Sequence, residues 1–258
     1  MVMSRATCTN EKVALFLSIP FHKCSTKTDL AMPSAAYTVE SCKVETSDGV
    51  KLHTRIFKQE EENEGDKDNL VIVLVHPYSV LGGCQALLKV IASGLASRGY
   101  KSVTFDMRGA GKSTGRASLT GFKEIEDVVA VCRWVSDNLF ADRILLVGSS
   151  AGAPISGSAV DTVNQVVGYV SLGYPFGLMA SILFGRHHNT ILKSPKPKLF
   201  VMGTRDGFTS VNQLKKKLAS AAGRNEIHLL EGVSHFEMEG PAYDDEMVNL
   251  IIKFIASL

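Results

Sequence analysis

The chain has 258 residues, 45% of them hydrophobic, with 28 basic and 26 acidic side chains and a net charge of +2. That length and apolar fraction suit one large α/β domain with a sizeable core. The near-balanced, interspersed charge leaves no footprint for nucleic acid or an anionic surface, and the longest apolar runs, such as Leu70 to Val75, fall far short of the roughly 20 residues of a spanning helix.

The five cysteines, Cys8, Cys24, Cys42, Cys84 and Cys132, are odd in number and lack C-x-x-C spacing. They read as reduced thiols of an intracellular protein, with neither a disulfide frame nor a metal site. No N-x-S/T sequon occurs, which agrees with a chain that avoids the secretory route.

Residues 1 to 35 stand apart. They are rich in Ser and Thr, carry Arg5, Lys12, Lys23 and Lys27, and hold only Glu11 and Asp29 as acids. This composition fits a disordered extension or an organellar transit peptide, and so a cytoplasmic location or one in a plastid or mitochondrion. Residues 36 to 258 are expected to form the domain. Tyr37 to Thr46 and Val50 to Phe57 alternate apolar and polar residues around Ser47-Asp48-Gly49, the pattern of a half-exposed hairpin. Gln59 to Asn69 is acidic and without period, hence a solvated loop.

Beyond that loop strands and helices alternate. Strands are predicted at Leu70 to Val75, Ser102 to Phe105, Arg143 to Val147, Val166 to Leu172, Lys198 to Met202 and Ile227 to Leu230. Helices are predicted from Cys84 to Ser97 and from Phe122 to Leu139, the latter with apolar residues at 122, 125, 128, 129, 132, 135 and 139. Another spans Val211 to Ala222, where Ser210 and Gln213 have capping-box spacing and Lys215, Lys216 and Lys217 form a wet face. The last follows Pro241, with Asp244, Asp245 and Glu246 in its first turn and Met247, Leu250, Ile251 and Phe254 facing the core. Such alternation implies a mostly parallel, eight-stranded sheet covered on both faces, with ligands at the carboxyl ends of its strands.

The stretch that organises this edge is Gly148-Ser149-Ser150-Ala151-Gly152, a G-x-S-x-G turn from strand to helix. Glycine at 148 and 152 removes the side chains that such a turn would crush, and Ser150 projects toward the N-terminus of the following helix. Ser150 is a candidate nucleophile, and a serine hydroxyl needs a base to act near neutrality. Of the seven histidines, only His235 sits directly after the last strand. Asp206 follows the strand at 198 to 202 and would orient the imidazole, with Glu231 as the alternative carboxylate.

Ser150, Asp206 and His235, in that order and each beyond a strand end, resemble the catalytic trio of the α/β-hydrolase superfamily. The resemblance runs from the hairpin to the C-terminus and implies a catalytic triad with Ser150 as nucleophile. It places the oxyanion hole at the backbone N–H groups of Ala151 and of Tyr78, in the loop His76-Pro77-Tyr78-Ser79-Val80-Leu81-Gly82-Gly83, since Pro77 has no N–H. The His-Pro start with its Gly-Gly pair looks like small, nearly lidless, dienelactone-hydrolase-like proteins, with His76 bracing the loop. Gly111-Lys112-Ser113-Thr114 fails as a phosphate-binding loop because position 106 is Asp, and Gly109 and Gly111 fail as a dinucleotide fingerprint because position 114 is Thr. In this superfamily Asp106 to Ser113 resembles a structural loop.

The implied activity is hydrolysis of a small-molecule carboxylic ester or thioester through an acyl-enzyme, with no cofactor and no metal. A non-hydrolytic ligand-binding protein or a lyase on the same scaffold is the alternative. Only Gly173 to Pro197 is available for a cap, which is therefore short. Within it Tyr174, Phe176 and Met179 either line an acyl pocket or belong to a helix covering the core, and Arg186, with His187 and His188 in an irregular insertion, either attracts an anionic group or sits in a solvated turn.

Overall fold

The computed structural model describes residues 36–60 and 69–258. The extension over residues 1–35, with Cys8 and Cys24, and most of the acidic loop lie outside the described residues. Eight strands form one sheet in the order β1-β2-β4-β3-β5-β6-β7-β8. They are β1 (Tyr37–Glu45), β2 (Lys51–Gln59), β3 (Leu70–Val75), β4 (Lys101–Phe105), β5 (Arg143–Ser149), β6 (Val166–Leu172), β7 (Lys198–Gly203) and β8 (Asn225–Leu230). The β1–β2 and β2–β4 pairs are antiparallel and every other pair is parallel. The helices are α1 (Lys89–Ala96), α2 (Phe122–Asn138), α3 (Gly152–Ala159), α4 (Leu178–Lys193), α5 (Val211–Leu218), α6 (His235–Met238) and α7 (Asp244–Ile255).

The period of two in a strand divides the core into two layers. On β3, Val71, Val73 and Val75 join α2, α3 and α4 on one face, with Val128, Cys132, Ile155 and Ile191. Leu70, Ile72 and Leu74 join α1 and α7 on the other, with Ile91, Leu95, Met247, Ile251 and Phe254. A strand buried on both faces reads as an unbroken apolar run, as this one does.

Several boundaries move for identifiable reasons. The helix expected from Cys84 opens as a 3-10 turn, Gln85–Leu88, and becomes α-helical at Lys89. Gln85 is pulled out of helical register because its backbone N–H and its Nε2 donate to the two Asp106 oxygens at 3.0 and 2.9 Å. Helix α5 carries the expected capping box. It stops at Leu218 and not Ala222, whose N–H donates to the Leu192 carbonyl and whose carbonyl accepts from the buried Lys198. On α7 it is Val248, not Leu250, that is fully buried. Cys42 and Cys132 are free thiols, whereas Cys84 is disulfide-bonded and departs from the expectation for the five cysteines.

The short segment between β6 and β7 folds as α4. His187 and His188 are therefore helical and buried, which corrects the irregular insertion expected there. His187 Nδ1 bonds Ser158 Oγ at 2.8 Å and its Nε2 bonds the Thr120 carbonyl at 2.8 Å. His188 Nδ1 and Tyr174 Oη are hydrogen-bonded to each other at 3.1 Å.

Ser150 has φ 48°, in the left-handed region that L-residues avoid, and the flanking glycines leave no room for substituents. A Cβ on Gly148 would meet Ala153 Cα at 2.6 Å, and one on Gly152 would meet the His76 carbonyl oxygen at 2.0 Å. The backbone strain of about 1 kcal/mol or more is held in place by this packing.

Two expectations follow for stability. Ser150→Gly and Ser150→Ala both lose the hydroxyl, but only glycine relieves the strained φ, so chemical denaturation is expected to place the glycine variant about 1 kcal/mol above the alanine variant. His188 is held neutral by burial and by neighbouring positive charge, its pKa lowered from 6.5 to about 4. The unfolded chain then binds more protons than the folded one between those values, so stability falls with pH below about 6.5, by about 2 kcal/mol at pH 5. Denaturation midpoints from pH 7 to pH 5 check this, and His188→Gln is expected to flatten the decline.

Candidate active site

The chain leaves β3 for β4 on one side and β5 for β6 on the other, and the two starting strands are neighbours with Val75 opposite Gly148. Their carboxyl ends therefore border a crevice, the usual ligand position in an open parallel sheet. Ser150 stands in it. Its N–H donates to the Leu172 carbonyl at 2.7 Å and its own carbonyl accepts from Ala153 at 2.9 Å, so the turn is tied to both β6 and α3.

Ser150 Oγ lies 2.7 Å from His235 Nε2, and His235 Nδ1 lies 2.6 Å from Asp206 Oδ2. A carboxylate only accepts, so Nδ1 carries the proton and Nε2 is the acceptor for the serine hydroxyl. The His235 and Asp206 side chains are 3% and 1% exposed, which keeps this chain of bonds from being exchanged for water. Asp206 Oδ1 accepts the N–H groups of Phe208 and Thr209 at 2.7 and 2.9 Å. The Asp-Gly turn thus fixes the carboxylate as well as reversing the chain.

His235 is the first residue of α6 rather than a loop residue, and Ser234 and Glu237 form a capping box that locks its backbone. Its ring closely packs the backbone of Gly173, where a Cβ would lie 2.9 Å from Cε1. Glu231 is exposed, and the imidazole is bonded to Asp206. Of the other described histidines, His228 faces Glu246 at 3.8 Å and His53 bonds Gln85 at 2.8 Å.

His76 is fully buried. Its Nδ1 donates to the Pro77 carbonyl at 2.6 Å, while Nε2 accepts the Met107 N–H at 3.0 Å. It thereby braces the loop after β3 against the end of β4. Burial holds its pKa below the ordinary histidine value, which keeps Nε2 free of a proton and able to accept. The loop closes tightly at Gly83, where a Cβ would sit 1.6 Å from the Pro77 carbonyl oxygen. Neither the Tyr78 N–H nor the Ala151 N–H donates to another group among the described residues. Asp106 to Ser113 is a bonded structural loop, with Asp106 accepting the Lys112 N–H at 3.1 Å and Arg108 paired with Asp127 and Asp48 at 2.8 Å.

Of the two readings of Tyr174 and Phe176, the structure places them in the core and not along an acyl pocket. Their rings stack at 4.1 Å and also pack on Phe200 and His188, so their faces are already taken. The side chain of Met179 lies outside the described ones. Three residues beside the imidazole escaped the sequence reading. Glu239 Oε1 accepts from Ser149 Oγ at 3.2 Å and lies 3.9 Å from His235 Nε2. Phe208 and Phe236 pack steeply inclined to the His235 ring, with centroids at 4.6 and 5.6 Å, while remaining 43% and 70% exposed. The spacing of four between His235 and Glu239 was the available signal, since it puts both on one side of a helical turn. Among the described residues no cluster of three or more His, Cys, Asp or Glu could hold a metal ion, and no helix is long and apolar enough to cross a membrane.

Residues 48–166 match the X-Pro dipeptidyl-peptidase (S15) family, a span that holds Tyr78 and Ser150 but ends before Asp206 and His235. The protein YfhR of Escherichia coli O157:H7 is 24% identical over 236 residues, covering 84% of this chain and 81% of its own. An α/β serine hydrolase homologue from Coxiella burnetii superposes with a TM-score of 0.68 at 27% identity, covering 83% of this chain and 96% of that one. The esterase Pf2001 of Pyrococcus furiosus superposes with a TM-score of 0.70 at 19% identity, covering 86% of this chain and 91% of that one. Strand order, the turn at Ser150 and these likenesses agree, and the chain has the α/β-hydrolase fold.

Proposed function

We propose that the protein is a serine hydrolase that cleaves carboxylic ester or thioester bonds of small molecules through a covalent acyl-enzyme. The observation that carries the reading is the continuous bonded line from Ser150 Oγ through both nitrogens of His235 to Asp206 Oδ2, with distances of 2.7 and 2.6 Å. In the first half-reaction His235 Nε2 takes the hydroxyl proton as Ser150 Oγ bonds to the carbonyl carbon. The carbonyl π pair moves onto oxygen, and the N–H groups of Ala151 and Tyr78 receive that charge. Collapse re-forms the carbonyl and expels the leaving group, which takes the proton from Nε2. Water then repeats the sequence, ending with a free acid and the restored serine. Asp206 holds the tautomer and stabilises the imidazolium throughout.

The fold likeness to an esterase favours an ester, and the partial S15 match makes an amide the competing scissile bond. The two are separated by a panel of aryl ester, thioester and dipeptidyl amide substrates. Ester and thioester turnover well above amide turnover is expected. Ser150→Ala is expected to lower that turnover by about 10⁶-fold, to background, and Asp206→Asn by about 10³–10⁴-fold, with folding retained in both by circular dichroism. Labelling by a fluorophosphonate probe, mapped to Ser150 by mass spectrometry, supports the nucleophile independently of substrate choice. Wild-type turnover that survives Ser150→Ala would remove the serine from the mechanism.

A further inference from the structure

The carboxylate of Glu239 has no assigned part in acyl transfer, yet it stands next to the reacting atoms. Its side chain is only 24% exposed, its Oε1 is 3.9 Å from His235 Nε2, and Ser149 Oγ donates to it at 3.2 Å. Among the described residues no lysine or arginine pairs with it, and the one basic group near it is the imidazole, which Asp206 already holds from the other nitrogen. Covering most of a carboxylate without a counter-cation is unfavourable, and burial here does push the Glu239 carboxyl up from its ordinary value.

The chemistry of the step says which part of a substrate this carboxylate meets. Nε2 hands its proton to the departing atom, so the leaving group must come within hydrogen-bonding reach of that nitrogen. Glu239 borders the same nitrogen. Phe208 and Phe236 border the same ring, are 5.7 Å from each other in an edge-to-face arrangement, and both expose aromatic surface to solvent. A leaving group seated beside Nε2 is thus offered one carboxylate and two aromatic rings. A neutral group would desolvate the carboxylate further without compensation and an anion would be repelled, whereas an ammonium gains from the carboxylate and from the negative ring faces.

We propose that Glu239, Phe208 and Phe236 form a leaving-group subsite for a positively charged, alkylated ammonium, so that the preferred substrates are esters of amino-alcohols. This rests on the serine-hydrolase reading above. Phe208 and Phe236 cover the methyl or methylene groups, and Glu239 sets the charge requirement.

The test is a matched pair of esters with one short acyl group, a choline ester and its uncharged 3,3-dimethylbutyl isostere, assayed at pH 8 and low salt. Wild-type kcat/KM is expected to favour the choline ester by about tenfold. Glu239→Gln is expected to bring the ratio of the two specificity constants close to one, and Phe236→Ala to lower it severalfold. Tetramethylammonium chloride is expected to slow fluorophosphonate labelling of Ser150 in the wild type more than sodium chloride at equal ionic strength, and not to do so in Glu239→Gln. A wild-type ratio of one or less, with the uncharged ester turned over, overturns the subsite alone. So does a Glu239→Gln variant that slows both esters equally, because Glu239 would then act on the imidazole and not on the substrate. Absence of both turnover and labelling in the wild type overturns the hydrolase reading, and the subsite falls with it.

Discussion

The turn at Ser150 presses against the loop after β3 so closely that a Cβ on Gly152 would reach within 2.0 Å of the His76 carbonyl oxygen. That contact between two backbones fixes the spatial relation of the serine hydroxyl to Tyr78, and it exists only because β3 and β5 are adjacent, parallel and aligned with Val75 opposite Gly148. Sheet order therefore has a chemical consequence. Had the chain crossed to a different neighbour, the loop that faces the serine would not be there. The strained φ of 48° at Ser150 is tolerated for the same reason, since the bonds to Leu172 and Ala153 and the packing of Gly148 and Gly152 leave the backbone no alternative.

Support for the loop comes from buried polar groups rather than from apolar packing. His76 joins the Pro77 carbonyl to the Met107 N–H, and Asp106, next to Met107, accepts from both the backbone and the side chain of Gln85. Each of these groups would be unfavourable to bury alone, and each is satisfied by another from a different strand end. A network of this kind has one low-energy arrangement where an apolar patch has several, which suits a loop held closely against the turn at Ser150. The helical irregularity after Cys84 is a by-product, because Gln85 serves the network before it serves its own helix.

Much of this was legible in the residue pattern, and the reasons differ from place to place. The buried strand Leu70–Val75 and the elbow announce themselves by composition, the first as an apolar run and the second because only glycine fits at 148 and 152. Asp206 and His235 could be chosen because each follows a strand at the carboxyl edge, where the topology concentrates polar side chains. Tyr174 and Phe176 could not be placed, because a run of aromatic residues after a strand has the same pattern whether it lines a pocket or stacks into the core. Their burial is decided by partners such as Phe200 and His188 that are distant or unremarkable in sequence. Helix α4 was legible only at its apolar start, because His187 and His188 look polar, and their burial with bonds to Ser158, Thr120 and Tyr174 becomes visible only in three dimensions.

The two carboxylates on either side of the imidazole show how bonding, and not residue type, separates roles. Asp206 is enclosed: two backbone N–H groups and the Nδ1 proton bond its oxygens, and at 1% exposure its side chain has no room for a further partner. It can only hold the ring. Glu239 is approached by the neutral hydroxyls of Ser149 and Ser150, stays partly open to solvent, and sees a second carboxylate, Asp206, as its other charged neighbour besides the imidazole. On the proposed hydrolase reading, a partly open carboxylate beside His235 Nε2 borders whatever enters the crevice. A cation gains most from such a carboxylate, and that is how the proposed subsite would tie the electrostatics of the crevice to the choice of leaving group.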